Sequence, residues 1–381
     1  MPELHLLSPR GFRAGGVYAG IKTRPTNDVG LLVCDAPTAT AAAAFTTNKV
    51  FAAPVAVGRQ HVADGRLRAV VVNSGNANAC TGRKGLTDAK EMCRLAAAQV
   101  GCRPVDVLPS STGIIGHMLP MERLSRGIVE ASLHLGSSGE HALAFADAIL
   151  TTDTRRKAAS ATVKVGREVV TIAGICKGAG MIGPRLALGT AGRAKHATML
   201  AYLTTDAAIS AAALRKLLAP AVDRSFNSVT IDDHTSTNDT AAVIASGAGG
   251  AKINSIPAAK KFLAALTDVC QSLAKQIAAD GEGATKVVRI DVSRAKSDRD
   301  AALIARAIAN SPLVKCAMHG NDPNWGRIVS AAGMCGAAFD PDKATLTLQS
   351  VPVFRRGQPA AFDPAAVSTS LAATEVVVAL D

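Results

Sequence analysis

Aromatic side chains are scarce in this chain: nine Phe, two Tyr and one Trp among 381 residues. Ala, Val, Leu and Ile must therefore fill its core, and the base-stacking platforms of nucleic-acid modules have little to be built from. Its eight cysteines (Cys34, Cys80, Cys93, Cys102, Cys176, Cys270, Cys316 and Cys335) form no C-x-x-C pair. That argues against a zinc site or a disulfide framework and for a reduced, cytoplasmic compartment. No apolar run is long enough to cross a bilayer. The opening MPELHLLSPRGF lacks the basic and apolar regions of a secretory signal. Also missing are a G-x-S-x-G elbow, an H-E-x-x-H pair and a Walker A loop, since Lys177 precedes its Gly where a P-loop lysine would follow one. The eight histidines are scattered, and Asp232-Asp233-His234 reads as a turn, so no metal site is expected.

What the chain does have is apolar residues at 48% and a net charge of +12, spread over single or short basic clusters such as Arg155-Arg156-Lys157. Dispersed charge of this kind suits small acidic substrates better than nucleic acid. Apolar runs and periodicity predict strands in Leu67–Ala79, from Val107 towards Pro120, in Ser228–Asp233 and in Lys286–Val292. Ser160–Cys176 reads as a hairpin about Gly166-Arg167. Helices are predicted from a Thr87-Asp88 cap to Val100, over His141–Leu150, Ala207–Val222 and Asp298–Ala309, and most clearly over Lys260–Ala279. Alternating elements of this kind predict a layered α/β fold. The boundary falls at Asp280–Gly283, giving domains of residues 1–280 and 281–381.

Chemistry has to come from hydroxyls. Ser and Thr gather in Ser110–Gly113, Thr151–Thr154 and Thr235–Asn238. A threonine becomes a nucleophile when the chain is cut before it, because its freed α-amine then serves as the base. Ala197-Thr198 has the small preceding residue such a cut needs, although Ala-Thr pairs are common and a Thr there could equally open a strand or cap a helix.

Nine segments in order resemble the ornithine acetyltransferase family, self-processing glutamate N-acetyltransferases of arginine biosynthesis. They are Gly16–Asn48, VVNSGNANACTG, SSTGIIG, ILTTDT, KGAGMIGP, ATMLAYLTTDA, DHTSTNDT, DGEGATK and SPLVKCAMHGNDPNWGRI. The resemblance implies a layered α/β sandwich of the self-processing aminopeptidase and ornithine acetyltransferase type, with a smaller C-terminal α/β domain. It implies cleavage between Ala197 and Thr198, Thr198 as nucleophile, and an oxyanion hole from the Thr112 hydroxyl and the Gly113 N–H. Thr151, Lys177 and Glu282 match substrate-binding positions, beside Thr198 itself. An ammonium and a hydroxyl can hold a substrate carboxylate, and a carboxylate can hold its amino end. The implied reaction moves acetyl from N2-acetylornithine to glutamate without metal or organic cofactor. Acetyl-CoA stays open as a second donor. Two N-terminal and two C-terminal chains would form the assembly, with no membrane or nucleic-acid partner.

Two features depart from the family's pattern. LGTAGRAKH, Leu188 to His196, intervenes before the Ala-Thr pair, and the chain stops at EVVVALD where the family continues into a tail that contacts substrate. Asn73, Asn76 and Asn78 read as loop ties, and Trp325 as a packing anchor. Two rival readings are a self-cleaving amidase or aminopeptidase, which would give its acyl group to water, and a non-catalytic basic binding protein on the same fold.

Overall fold

A computed structural model describes residues 4–188 and 199–381, and these form two compact units, Met1–Glu282 and Gly283–Asp381. In the first unit the strands are β1 (Phe12–Val17), β2 (Val29–Cys34), β3 (Thr40–Thr46), β4 (Ala69–Asn76), β5 (Val107–Ile114), β6 (Lys157–Val165), β7 (Glu168–Lys177), β8 (Leu186–Ala187), β9 (Leu200–Thr205) and β10 (Thr240–Ala245). They build a four-stranded sheet ordered β1-β2-β4-β5 and a six-stranded sheet ordered β6-β7-β9-β10-β3-β8. Among the described residues they are accompanied by the helices α1 (Ala53–His61), α2 (Gly82–Val100), α3 (Met121–Leu133), α4 (Gly139–Ile149), α5 (Ala211–Asp223) and α6 (Ile256–Ala279).

Side chains alternate across a strand, so each sheet has two faces to bury. Leu32, Val70, Val72 and Leu108 of the first sheet meet Phe45, Ile175, Leu200, Tyr202 and Ile244 of the second in one core. The opposite face of the first sheet, Leu31, Val33, Val71 and Val107, packs on Met92, Ala96, Leu124 and Ile128 of α2 and α3. The outer face of the second, Ile172, Ala201, Leu203 and Val243, packs on Leu214, Leu218, Phe262 and Leu273 of α5 and α6. The result is helices, sheet, sheet, helices: the layered sandwich expected. Both faces of both sheets are covered, which is why β2, β9 and β10 are buried at every residue.

The second unit has strands β11 (Val287–Val292), β12 (Thr345–Leu348), β13 (Val351–Arg355), β14 (Gln358–Pro359) and β15 (Glu375–Leu380), in the order β11-β15-β12-β13-β14. Its helices are α7 (Asp298–Asn310), α8 (Pro312–His319), α9 (Trp325–Gly333) and α10 (Pro364–Leu371). Ile308, Val314, Ile328, Leu346, Val353, Leu371 and Val378 share one core. Trp325 does anchor packing there, stacked on Phe354 with ring centroids 5.4 Å apart.

Three local expectations need correction. Ser228–Asp233 is not a strand: Ile231 and Asp232 donate their N–H groups to Ile182 O, and the Asp232 carboxylate accepts from Met181 and Ile182. The segment is spent clamping another loop, so its apolar alternation has no sheet edge to join. α2 begins at Gly82 after Thr81, not at Thr87, whose hydroxyl instead donates to Arg83 O one turn back. Ala89, Met92, Cys93 and Ala96 set the buried face, and Gly85, also buried and one turn before Ala89, extends it past the expected cap. α5 starts at Ala211, where the Ser210 hydroxyl accepts from Ala213 N, rather than at Ala207. Among the described residues no single helix is long and apolar enough to cross a membrane.

Candidate functional site

Ala197 and Thr198, the expected scissile pair, lie outside the described residues. Their C-terminal flank does not. Met199 leads into β9, and its N–H donates to the Asp239 carboxylate while its carbonyl accepts from Thr240 N at 2.9 Å. Two register facts place this flank. β9 runs parallel to β10 with Leu200 beside Thr240, and antiparallel to β7 with Leu200 beside Lys177. Lys177, Met199 and Asp239 therefore share one end of the six-stranded sheet.

Asp239 is fully buried. Burial pushes its carboxyl well above the usual range, against the lowering pull of the Met199 N–H and of Lys177. Its Oδ2 has no hydrogen-bond partner among the described residues.

Thr112 and Gly113 stand at the end of β5, where the strand passes from buried to exposed. β4 runs parallel alongside, with Ser74 beside Thr112 and Gly75 beside Gly113. Gly113 has φ +132°, and a Cβ there would lie 2.3 Å from the Gly75 carbonyl carbon, so only glycine fits. A net of neutral hydrogen bonds secures this end. Ser111 Oγ donates to Asn73 Oδ1 at 2.6 Å, Asn73 Nδ2 to Asn76 O at 2.9 Å, and Asn76 Nδ2 to Met118 O at 2.9 Å. The three asparagines are loop ties, as the sequence suggested, with Asn78 Nδ2 donating to Gly85 O at 3.0 Å.

The ends of the two sheets are joined. Asn238, next to Asp239, donates Nδ2 to Ala77 O at 3.0 Å, and Ala52 N donates to Thr237 O at 2.8 Å. On the other side Ser74 Oγ donates to Ala148 O at 2.7 Å, fixing the end of α4 just before Thr151.

Thr151 is half-buried, and its N–H donates to Asp153 Oδ2 at 3.2 Å. Asp153 also accepts from Gly178 N at 2.7 Å and lies 3.9 Å from the Lys177 ammonium. Lys177 is 2% exposed. Burial lowers its pKa, Asp153 raises it, Lys157 lowers it, and Asp239 and Glu282 raise it; the balance stays below the ordinary lysine value. Glu282 is exposed and reaches the same loop: its N–H donates to Ala179 O at 2.7 Å. Its carboxyl occupies the space a side chain on Gly180 would need, 2.5 Å from an added Cβ. So Thr151, Glu282 and the end of β7 at Lys177, far apart in sequence, stand on segments tied together by hydrogen bonds.

Sequence reasoning missed four buried ionisable side chains here: Asp153, Lys157, Asp239 and Asp280. In the sequence Lys157 reads as one of a short basic cluster with Arg155 and Arg156. Those two are exposed, but Lys157 opens β6 and is 1% exposed. The available signal was one of position: a lysine where an apolar-alternating strand begins. Among the described residues no cluster of His, Cys, Asp or Glu could hold a metal ion.

Comparison with known proteins sets this geometry in a lineage. The ArgJ family model matches residues 13–381. The chain belongs to the ArgJ family. The arginine biosynthesis bifunctional protein ArgJ of Symbiobacterium thermophilum is 47% identical over 98% of this chain and 91% of its own length. The ArgJ of Rhodopirellula baltica is 44% identical over 98% and 89%. A solved chain of ornithine acetyltransferase from Mycobacterium tuberculosis, complexed with ornithine, is 37% identical; the match covers 49% of this chain and 98% of that one, with a TM-score of 0.45.

Proposed function

We propose that this ArgJ family member is a self-processing acetyltransferase of arginine biosynthesis, moving acetyl from N2-acetylornithine to L-glutamate through Thr198. The observation that carries it is the position of Met199, directly after Thr198: it is held by Asp239 and precedes Leu200, the partner of Lys177, and Asn238 next to Asp239 ties this end to Ala77, just past the end of β4. The relatives' shared name, an arginine biosynthesis bifunctional protein, supports the substrate class.

In the first step the Thr198 hydroxyl attacks the Ala197 carbonyl. The peptide C–N bond breaks, the proton passes to the departing nitrogen, and an ester remains until water hydrolyses it. Ala197 is left with a carboxylate and Thr198 with a free α-amine. That amine then takes the hydroxyl proton as Thr198 attacks the acetyl carbonyl, and returns it to ornithine as the C–N bond breaks. Glutamate's amine attacks the acetyl ester in turn and restores the hydroxyl. Each tetrahedral intermediate carries an oxyanion for the Thr112 hydroxyl and Gly113 N–H to stabilise. Lys177 holds the substrate carboxylate, more strongly for being away from water, with Thr151 beside it, and Glu282 holds the ammonium.

The unit boundary and the cut at residue 197 divide the chain at different places, so both fragments contribute strands to one sandwich. We expect two chains of each kind in the assembly and a cytoplasmic location. The relatives are named bifunctional, and acetyl-CoA is the second donor to be offered. The test is an acetyl-transfer assay on the purified protein. Acetylglutamate formed from acetylornithine with ping-pong kinetics is the expected result. Acetate released at one rate with and without glutamate would make the protein a hydrolase.

A further inference from the structure

Lys157 is the hub of a buried charge cluster of which the reaction above uses only Lys177. Its ammonium lies 2.6 Å from Asp153 Oδ1 and 2.5 Å from Asp280 Oδ2, with all three side chains at most 2% exposed. Asp280 in turn accepts from Thr154 N at 3.1 Å and from the Thr154 hydroxyl. Asp153 has its other oxygen 3.9 Å from Lys177 Nζ and also accepts from Thr151 N and Gly178 N. Two carboxylates and two ammoniums alternate through the interior, and they join the ends of α4, α6 and β7. An uncompensated charge in such a place would be costly, so each member fixes its neighbours.

We propose that Asp153 is a positioning residue that keeps Lys177 an ammonium and aims it at the substrate carboxylate, against the like charge of Lys157, which Asp280 clamps on the other side of Asp153. Assigning Lys177 to the substrate rests on the acetyltransferase reading; the charge relay itself does not. The charged groups facing Lys177 are Asp153, Lys157, Asp239, Glu282 and Lys22. Asp153 is the largest influence opposing the effect of burial. Asp153 is itself ionised: burial raises its pKa, but Lys177 and Lys157 outweigh burial and hold it below the usual carboxylate value. Without it the buried ammonium would shed its proton at lower pH, and an uncharged amine attracts a carboxylate weakly. Lys157 acts on Lys177 in the opposite sense, as a like charge.

The two influences predict opposite shifts. Nuclear magnetic resonance of full-length protein labelled with 13C at the lysine ε-carbon follows Lys177 directly, its signal assigned by its loss in Lys177→Arg. In Asp153→Asn the titration midpoint should fall by about one pH unit or more. In Lys157→Gln it should rise. Asp153→Glu, which keeps the charge, should hold the midpoint near wild type. A purely structural role would unfold the protein or leave the midpoint in place, and would give no pair of opposite shifts. Unmoved midpoints, or shifts of one sign in both variants, overturn the relay; should Asp153→Asn not fold, a Lys157→Gln midpoint that stays or falls does so alone. For the substrate half, above the lowered midpoint Asp153→Asn should raise the KM for glutamate about tenfold with kcat retained. A wild type that transfers no acetyl sinks the acetyltransferase reading while leaving the titration result intact.

Discussion

The two sheets of the first unit end side by side, and the ends are held by different physics. At the β4–β5 end the ties are neutral hydrogen bonds: Asn73, Asn76, Asn78 and Ser111 pass them among themselves and the backbone. The β7–β9 end is ionisable: Lys157, Asp153, Lys177 and Asp280 form buried ion pairs around it, with Asp239 buried beside them. A neutral net fixes geometry at every pH, which suits a pair of oxyanion donors that must be in place before charge develops. A charged cluster can attract a substrate carboxylate and ammonium, but its strength depends on protonation. On the proposed reading the oxyanion donors stand at the first end, while the flank of the nucleophile and substrate recognition belong to the second.

The sharpest way to break this comparison is at the residue both ends serve. Thr198→Ala should leave one full-length chain on a denaturing gel and abolish acetyl transfer. Next in size, Lys157→Met strands two buried carboxylates and should lower unfolding stability by about 3–5 kcal/mol, read from urea denaturation. Thr112→Ala should cost about 2.7–4 kcal/mol of transition-state stabilisation, slowing both processing and turnover roughly a hundredfold or more while the fold survives. Ser111→Ala leaves the Asn73 carbonyl oxygen without its donor and should cost about 1–3 kcal/mol of stability, equally at pH 5 and pH 8.

The smallest effect is a pH dependence that the charged end alone should show. Asp153 and Asp280 are held below the ordinary aspartate value of 3.8 in the folded protein, as their hydrogen bonds and cations outweigh burial. A lowered carboxyl contributes stability that is present above 3.8 and lost as pH falls through the folded values. Acid titration of wild type followed by circular dichroism should therefore destabilise below about pH 4. In Asp153→Asn/Lys157→Gln, which removes one charge of each sign, that loss should be smaller. An identical acid profile would mean that the cluster contributes nothing through its charge.

How much of this could be read from the sequence follows the same division. Apolar period and turn chemistry are local, so the hairpin about Gly166-Arg167 and the helix ending at Ala279 were legible, as was the layered architecture. The asparagine ties were legible too, because N-x-x-N-x-N closes over a few residues. The charged end was not. Its members come from positions 153, 157, 177, 239 and 280, and only the fold makes them neighbours. Lys157 beside Arg155 and Arg156 looks like solvated charge until β6 turns it inward. Ser228–Asp233 failed in the other direction: it has a strand's alternation, but Asp232 is committed to the Met181–Ile182 turn. Thr151, Lys177 and Glu282 became candidates through family resemblance, not through spacing.

The central claim is that Thr198 carries the acetyl group between two amino acids. Incubating the purified protein with N2-acetylornithine but no glutamate, then sequencing its chains by mass spectrometry, tests it most directly. The account predicts a chain beginning at Thr198 that bears one acetyl group on the threonine hydroxyl and loses it when glutamate is added. A chain that remains whole, or a processed chain whose acetyl lies elsewhere or never appears, would contradict it.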